Sequence, residues 1–213
     1  MDLRAVIFDL DGVICFTDKY HYQAWKSIAD DQNIYFDEQI NNRLRGVSRM
    51  ESLEIILERA EKQYTEEEKQ ILAERKNVVY QDLLRNMTPE DLSVEVKCTM
   101  DALRAEGKKL AIGSSSKNTK LILRQIGLEN YFDVVSDGTD IQNSKPDPEV
   151  FLNAAEKLEE KPENCLVVED AEAGILAAYR GGFHSAGIGE ASKYDLTEFP
   201  LTKFSDILDI TDR

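Results

Sequence analysis

The stretch Arg4-Ala5-Val6-Ile7-Phe8-Asp9-Leu10-Asp11-Gly12-Val13-Ile14 limits what this chain can fold into more than any other. Ala5 to Phe8 are all apolar and two of them are β-branched, so they read as a strand buried on both faces rather than an amphipathic one. The strand runs into two aspartates separated by one residue, then a glycine that lets the chain turn. Ligands of open parallel sheets collect at the carboxyl ends of strands, so Asp9 and Asp11 stand where chemistry is expected. Carboxylates this close repel one another unless a cation or a shared proton intervenes. A hard divalent cation with oxygen ligands, most simply Mg²⁺, resolves that conflict. The plain alternative is an acidic turn after a strand.

After Ile14 the texture changes. Between Asp18 and Leu92 the sole glycine is Gly46, and apolar residues recur at helical spacing: Trp25, Ile28 and Ala29; Leu53, Ile56, Leu57 and Ala60; Ile71, Leu72, Val79, Leu83 and Leu84. Thr65-Glu66-Glu67-Glu68 has the form of a capping box with acid in the first helical turn. Thr88-Pro89-Glu90-Asp91 breaks the pattern. A helical module over residues 16–92 is therefore expected, set over the edge of a sheet.

From Ser93 onward strand and helix alternate. Helices are expected over Val96–Glu106, Leu121–Ile126, Pro148–Leu158 and Ala171–Tyr179, with Gly107 closing the first and Gly127 the second. Strands are expected at Lys109–Gly113, Asp133–Ser136, Cys165–Val168 and, finally, His184–Ile188. Alternation of this kind predicts an α/β fold with a doubly wound parallel sheet. Its core takes in 1–15 and 93–213, with the helical module inserted.

Parallel strands bring their carboxyl ends to one rim, and here those ends carry Asp9 and Asp11, Ser114, the segment before Lys145, and Glu169 with Asp170. Two carboxylate pairs on one rim make an oxygen cage for a single Mg²⁺. The Ser114 hydroxyl and the fixed charge of Lys145 suit a tetrahedral dianion, so the rim reads as a site of phosphoryl transfer. One aspartate can be the nucleophile and carry an aspartyl-phosphate; the other can act as general acid and base.

Charge narrows the partners. Lys and Arg number 26 against 41 Asp and Glu, a net charge of −15, which makes nucleic acid or an anionic membrane an unsuitable partner. An anionic substrate must therefore meet positive charge locally. No run of apolar residues is long enough to span a membrane. The opening Met-Asp-Leu-Arg shows no signal-peptide pattern. The three widely spaced cysteines, Cys15, Cys98 and Cys165, give neither a disulfide framework nor a zinc motif. A reducing cytoplasm is expected.

Asp9-x-Asp11-Gly12-Val13, strand-end Ser114, Lys145-Pro146 and Glu169-Asp170 resemble the four ordered motifs of the haloacid dehalogenase superfamily, over the whole chain. The helical insertion after the first motif resembles that superfamily's small cap. Finer detail is similar to its sugar-phosphate mutases: Tyr20-His21, Ala24-Trp25-Lys26, Arg45-Gly46-Val47-Ser48-Arg49, Arg75-Lys76-Asn77 and Ser114-Ser115-Ser116-Lys117-Asn118. The resemblance implies that Asp9 is the nucleophile and Asp11 the acid/base, whose backbone carbonyl also faces the metal. It implies a Mg²⁺ site completed by Glu169 and Asp170, with Ser114 and Lys145 holding the moving phosphoryl group. Arg49 would clamp the distal phosphate, aided by Ser116, Lys117 and Asn118. His21, Trp25, the loop of Arg45, Gly46, Val47 and Ser48, then Ser52 and Lys76, would line the sugar pocket; Ser115 is a further substrate-binding candidate, whose plain alternative is strand-end filler. Thr17 falls at the cap–core hinge. The implied activity moves phosphate between C1 and C6 of a β-configured hexose, β-glucose 1-phosphate to glucose 6-phosphate, with glucose 1,6-bisphosphate as intermediate and activator. A monomer acting on small sugar phosphates is expected.

Arg45 stands where the resemblance usually has Lys, and Phe16 where a linker residue is commonly acidic; both bear on sugar preference or cap closure. Taken alone, His21 reads as a surface or capped histidine, Trp25 as core packing, and Lys76 as one charge on a solvated helix face. A capped phosphatase for a small sugar phosphate would use the same Asp9, Asp11, Lys145 and Asp170. A non-catalytic sugar-phosphate-binding protein is disfavoured because no catalytic position is missing. Dehalogenation is disfavoured because it uses neither Asp11 nor a metal cage.

Overall fold

The computed structural model describes residues 2–44 and 47–211. The first strand, β1 (Ala5–Phe8), leads, among the described residues, into the helices α1 (Asp18–Asp31), α2 (Glu38–Asn42), α3 (Arg49–Leu57) and α4 (Glu66–Leu84). The chain then alternates through α5 (Val94–Ala105), β2 (Lys109–Gly113), α6 (Thr119–Gln125), β3 (Val134–Ser136), α7 (Glu149–Lys157), β4 (Cys165–Glu169) and α8 (Glu172–Gly181). It closes with β5 (His184–Gly187), β6 (Phe199–Pro200) and α9 (Ile207–Thr211). Every strand pairing is parallel, in the order β3-β2-β1-β4-β5-β6. The sheet is doubly wound as expected.

The apolar run of β1 lies at the middle of the sheet, and its side chains divide by alternation. Val6 and Phe8 join Leu110, Ile112, Leu166 and Val168 on one face, under α5, α6 and α9. Ala5 and Ile7 join Ala111, Cys165 and Val167 on the other, under α7 and α8. Both faces are covered, which is why the strands carry no polar alternation.

Residues 18–84 contain no strand among the described residues and hold their own apolar interior, in which Trp25, Ile28, Phe36, Leu53, Ile56 and Leu72 are buried together. The lower end of this layer is continuous with the sheet core, because Tyr20, Ala24, Tyr80 and Leu84 join the cluster on the β1 face that carries Phe8. Thr65 and Glu68 form the expected capping box at the start of α4, with Thr65 N donating to Glu68 Oε2 at 2.8 Å and Glu68 N to Thr65 Oγ1 at 3.2 Å.

Three expectations change. His184–Ile188 is not the final strand: a short edge strand, β6, follows it, and its proline is tolerated because one side of an edge strand needs no partner. Helix α5 begins at Val94 rather than Val96, because the Ser93 hydroxyl caps it by accepting from Val96 N at 3.1 Å. Ile71 does not join the apolar interior; it is 53% exposed and borders the cavity described next.

Candidate active site

The strand order places β1 between β2 and β4, so the chain reverses its direction of winding beside β1, and a crevice opens at the carboxyl ends of these strands. Phe8 pairs in register with Val168, and Asp9 N continues the ladder by donating to Val168 O at 2.9 Å. Asp9 and Glu169 are thereby set side by side. Lys145, 8% exposed, reaches between them, with Nζ 2.5 Å from Asp9 Oδ1 and 2.5 Å from Glu169 Oε1. Glu169 Oε2 accepts from the backbone N–H groups of Asp170 at 3.0 Å and Ala171 at 3.1 Å.

Asp9, Glu169 and Asp170 each offer a carboxylate oxygen, and the three oxygens lie within 4.8 Å of one another. Two glycines make room for the carboxylates. Gly12 takes φ +93°, and a Cβ there would run into Asp170, 2.5 Å from its Cγ; a Cβ at Gly174 would overlap the Glu169 carboxyl, 2.5 Å from that residue's Cγ. An all-oxygen, dense anionic donor set of this kind fits a hard cation such as Mg²⁺.

The electrostatics agree. Burial, reinforced by the charges of Asp9 and Glu169, pushes the Asp170 carboxyl up to about 8. Burial also raises Glu169, against the opposing charge of Lys145. The ammonium of Lys145 is pulled down by burial, but Asp9 and Glu169 outweigh this and hold it protonated. The Glu169 and Asp170 carboxyls thus favour protons, so a divalent ion has much repulsion to relieve.

Asp11 is absent from the converging carboxylates. Thr17 Oγ1 donates to its Oδ1, and burial followed by the Asp9 charge raises the carboxyl to about 7 despite that bond. A carboxyl tuned there can exchange protons in either direction near neutrality.

A partly open cavity of about 710 Å³ lies between this rim and the helical layer. From the sheet side it is bordered by Asp9, Asp11, Ser114 to Asn118, Lys145, Glu169 and Asp170; from the helical side by His21, Trp25, Val47, Ser48, Arg49, Ser52 and Lys76. Arg45 and Gly46 lie outside the described residues.

Within the helical side Lys76 is buried at 3% exposure. Its Nζ is 3.0 Å from His21 Nδ1, 4.3 Å from the centre of the Tyr80 ring and 5.0 Å from that of Trp25. Burial, with Arg49 adding to it, pulls the Lys76 ammonium down to about 7; burial and the Lys76 charge keep His21 neutral. Lys76 therefore does not sit on a solvated face. Trp25 both borders the cavity and packs inside the helical layer.

Sequence reasoning missed several residues. Tyr80 borders the cavity with its ring 4.2 Å from that of His21; it lies four residues after Lys76 on α4, a spacing that could have revealed it. Gly138, Ile141 and Gln142 also border the cavity, and Gly138 lies against Ser115 and Lys117; no local pattern marked them. Thr17, expected at a hinge, is also the partner of Asp11.

A family model described as haloacid dehalogenase-like hydrolase matches residues 3–182. The chain is 43% identical over 207 residues to a β-phosphoglucomutase of Bacillus subtilis (strain 168), covering 96% of this chain and 92% of that protein. It is 32% identical over 199 residues to a phosphorylated carbohydrates phosphatase of Thermotoga maritima, covering 89% of each. The crystal structure of a β-phosphoglucomutase from Clostridium difficile superposes with a TM-score of 0.91 at 35% identity, covering 99% of this chain and 96% of that one.

Proposed function

The chain belongs to the haloacid dehalogenase-like hydrolases, and from that membership we propose that it is a β-phosphoglucomutase, interconverting β-glucose 1-phosphate and glucose 6-phosphate. The observation that supports this reading is that one cavity of about 710 Å³ is bordered by Ser114 and Lys145 and also by Arg49, Lys117 and Asn118, which we read as two places for a phosphate. That volume suits a hexose carrying two phosphates. A phosphatase needs only the first place.

Asp9 attacks the phosphorus of the sugar bisphosphate, the bond from phosphorus to sugar oxygen breaks, and Asp11 gives its proton to the departing oxygen. In the reverse transfer Asp11 takes the proton from the incoming sugar hydroxyl as that oxygen attacks the aspartyl-phosphate. Its carboxyl near 7 serves both directions. Ser114 and Lys145 hold the moving phosphoryl group while Arg49, with Ser116, Lys117 and Asn118, holds the other end. Once the bisphosphate forms at Asp9, it turns end for end and returns its other phosphate to the enzyme. Asp9, Glu169 and Asp170 would hold Mg²⁺, which would supply positive charge to offset that of the phosphoryl group. His21, Trp25, Val47, Ser48, Ser52 and Lys76, with Ser115, line the sugar. Residues 16–92 act as a cap that closes over 1–15 and 93–213 and excludes water from the aspartyl-phosphate.

The identity to a carbohydrate phosphatase favours a second reading, hydrolysis of a small sugar phosphate by the same core. The two part in a coupled assay started with β-glucose 1-phosphate, Mg²⁺ and a trace of glucose 1,6-bisphosphate. Reduction of NADP⁺ by added glucose-6-phosphate dehydrogenase, outpacing phosphate release, supports the mutase; phosphate release alone supports the phosphatase.

A further inference from the structure

A chain of side-chain amides runs from the helical layer to the sheet rim. Arg49 Nη2 donates to Asn77 Oδ1 at 2.9 Å, Asn118 Nδ2 donates to the same oxygen at 3.0 Å, and Gln81 Nε2 donates to Asn118 Oδ1 at 2.8 Å. Asn77 and Gln81 lie four residues apart on one face of α4, so they grip the Asn118 amide at its two ends. The direction of the chain is fixed from one end. A guanidinium donates and cannot accept, so Asn77 must turn its oxygen to Arg49. The Asn118 atom that meets this oxygen must then be its nitrogen, which leaves its oxygen for a donor, and Gln81 supplies one.

Arg49 and Asn118 both border the cavity, whereas neither Asn77 nor Gln81 does. Two donors that face the cavity thus converge on one neutral amide oxygen, in the arrangement they would take around an oxygen of a phosphate. An anionic oxygen is the stronger acceptor and would draw both donors from Asn77.

We propose that Asn77 and Gln81 are positioning residues for the distal phosphate: the Asn77 oxygen gathers Arg49 and Asn118 into a ready clamp, and Gln81 keeps the donor end of Asn118 aimed at it. This rests on the sugar-phosphate reading of the cavity. Gln81 never touches substrate and acts through Asn118 alone.

The test is the Kd of glucose 6-phosphate, measured by calorimetry on the whole protein with Mg²⁺, for wild type, Gln81→Met and Gln81→Glu, each also made in an Asn118→Ala background. Methionine matches glutamine in length and helix propensity, so α4 is retained. Losing one neutral hydrogen bond that orients a donor raises Kd about 3- to 10-fold in Gln81→Met. Gln81→Glu raises it further, because a carboxylate only accepts and turns the Asn118 nitrogen away from the clamp. In the Asn118→Ala background neither change shifts Kd again, a loss of additivity that a general loosening of the fold would not produce. Unchanged Kd in Gln81→Met, an equal shift with and without Asn118, or no binding of glucose 6-phosphate by wild type would each overturn the proposal. If these shifts appear in a protein that forms no glucose 6-phosphate from β-glucose 1-phosphate, the mutase assignment falls and the positioning role stands.

Discussion

Replacing Gly174 by alanine should destabilise this protein, although the same change in most helices does the reverse. Gly174 lies in α8, where exchange of glycine for alanine ordinarily stabilises by about 1 kcal/mol. Here the new Cβ would occupy the position of the Glu169 carboxyl. That carboxylate is 1% exposed and takes three bonds, from Lys145 Nζ and from the N–H groups of Asp170 and Ala171. Driving it aside separates a buried ion pair and leaves Lys145 partly uncompensated, which costs about 3–5 kcal/mol. Set against the helix gain, the net loss is about 2–4 kcal/mol. For a chain of this size the midpoint of thermal unfolding followed by circular dichroism should fall by about 5–15 °C. Mg²⁺ affinity should fall with it, since Glu169 is one of the three converging carboxylates. A Gly174→Ala protein that melts at or above the wild-type temperature would refute the claim that this glycine exists to admit Glu169.

Asp9→Asn should keep the fold and lose turnover by about 10³-fold or more, the scale expected for removal of a nucleophile; appreciable activity would remove Asp9 from that role. Arg49→Ala should lower kcat/KM for the mutase reaction about 10- to 100-fold, the value of a charge-assisted contact, while hydrolysis of acetyl phosphate, which has no second phosphate, falls far less. Equal losses would count against the clamp. Lys76 carries a pH signature: burial, with the Arg49 charge added, takes its folded value to about 7 from 10.5. Between those values the unfolded chain holds a proton that the folded protein lacks, so stability from this group rises with pH across the window. Lys76→Met should therefore be about 1–4 kcal/mol more stable than wild type near neutrality, with the difference shrinking toward about pH 10, as read by urea unfolding at several pH values. A difference that grows with pH would contradict the sign.

Much of the fold could be read from local sequence because its determinants are local. Ala5 to Phe8 specify a strand covered on both faces, Thr65 and Glu68 announce the start of α4, and Gly107 adopts the positive φ expected of a residue that ends a helix. Helix α2 escaped notice because its five residues bury only Ile40 and have no periodicity; the Asp37 cap, accepting from Ile40 N at 2.9 Å, was its one local sign. The strand order was not legible, since nothing in a strand names its neighbours. The carboxylate rim could be anticipated from strand ends, yet the sharing of Lys145 between Asp9 and Glu169 depends on contacts across 136 and 24 residues. The amide chain was hidden for the same reason. Gln81 meets Asn118 only after α4 has folded down onto the loop that follows β2, 37 residues further along the chain.

The most direct test of the central claim is a ³¹P NMR time course with Mg²⁺, β-glucose 1-phosphate and a trace of glucose 1,6-bisphosphate. A mutase built on Asp9, Asp11 and a second anion site at Arg49 converts the 1-phosphate resonance into that of glucose 6-phosphate, while the bisphosphate signal persists and inorganic phosphate stays minor. Growth of inorganic phosphate as the chief product would contradict the account and make the enzyme a phosphatase with the same core.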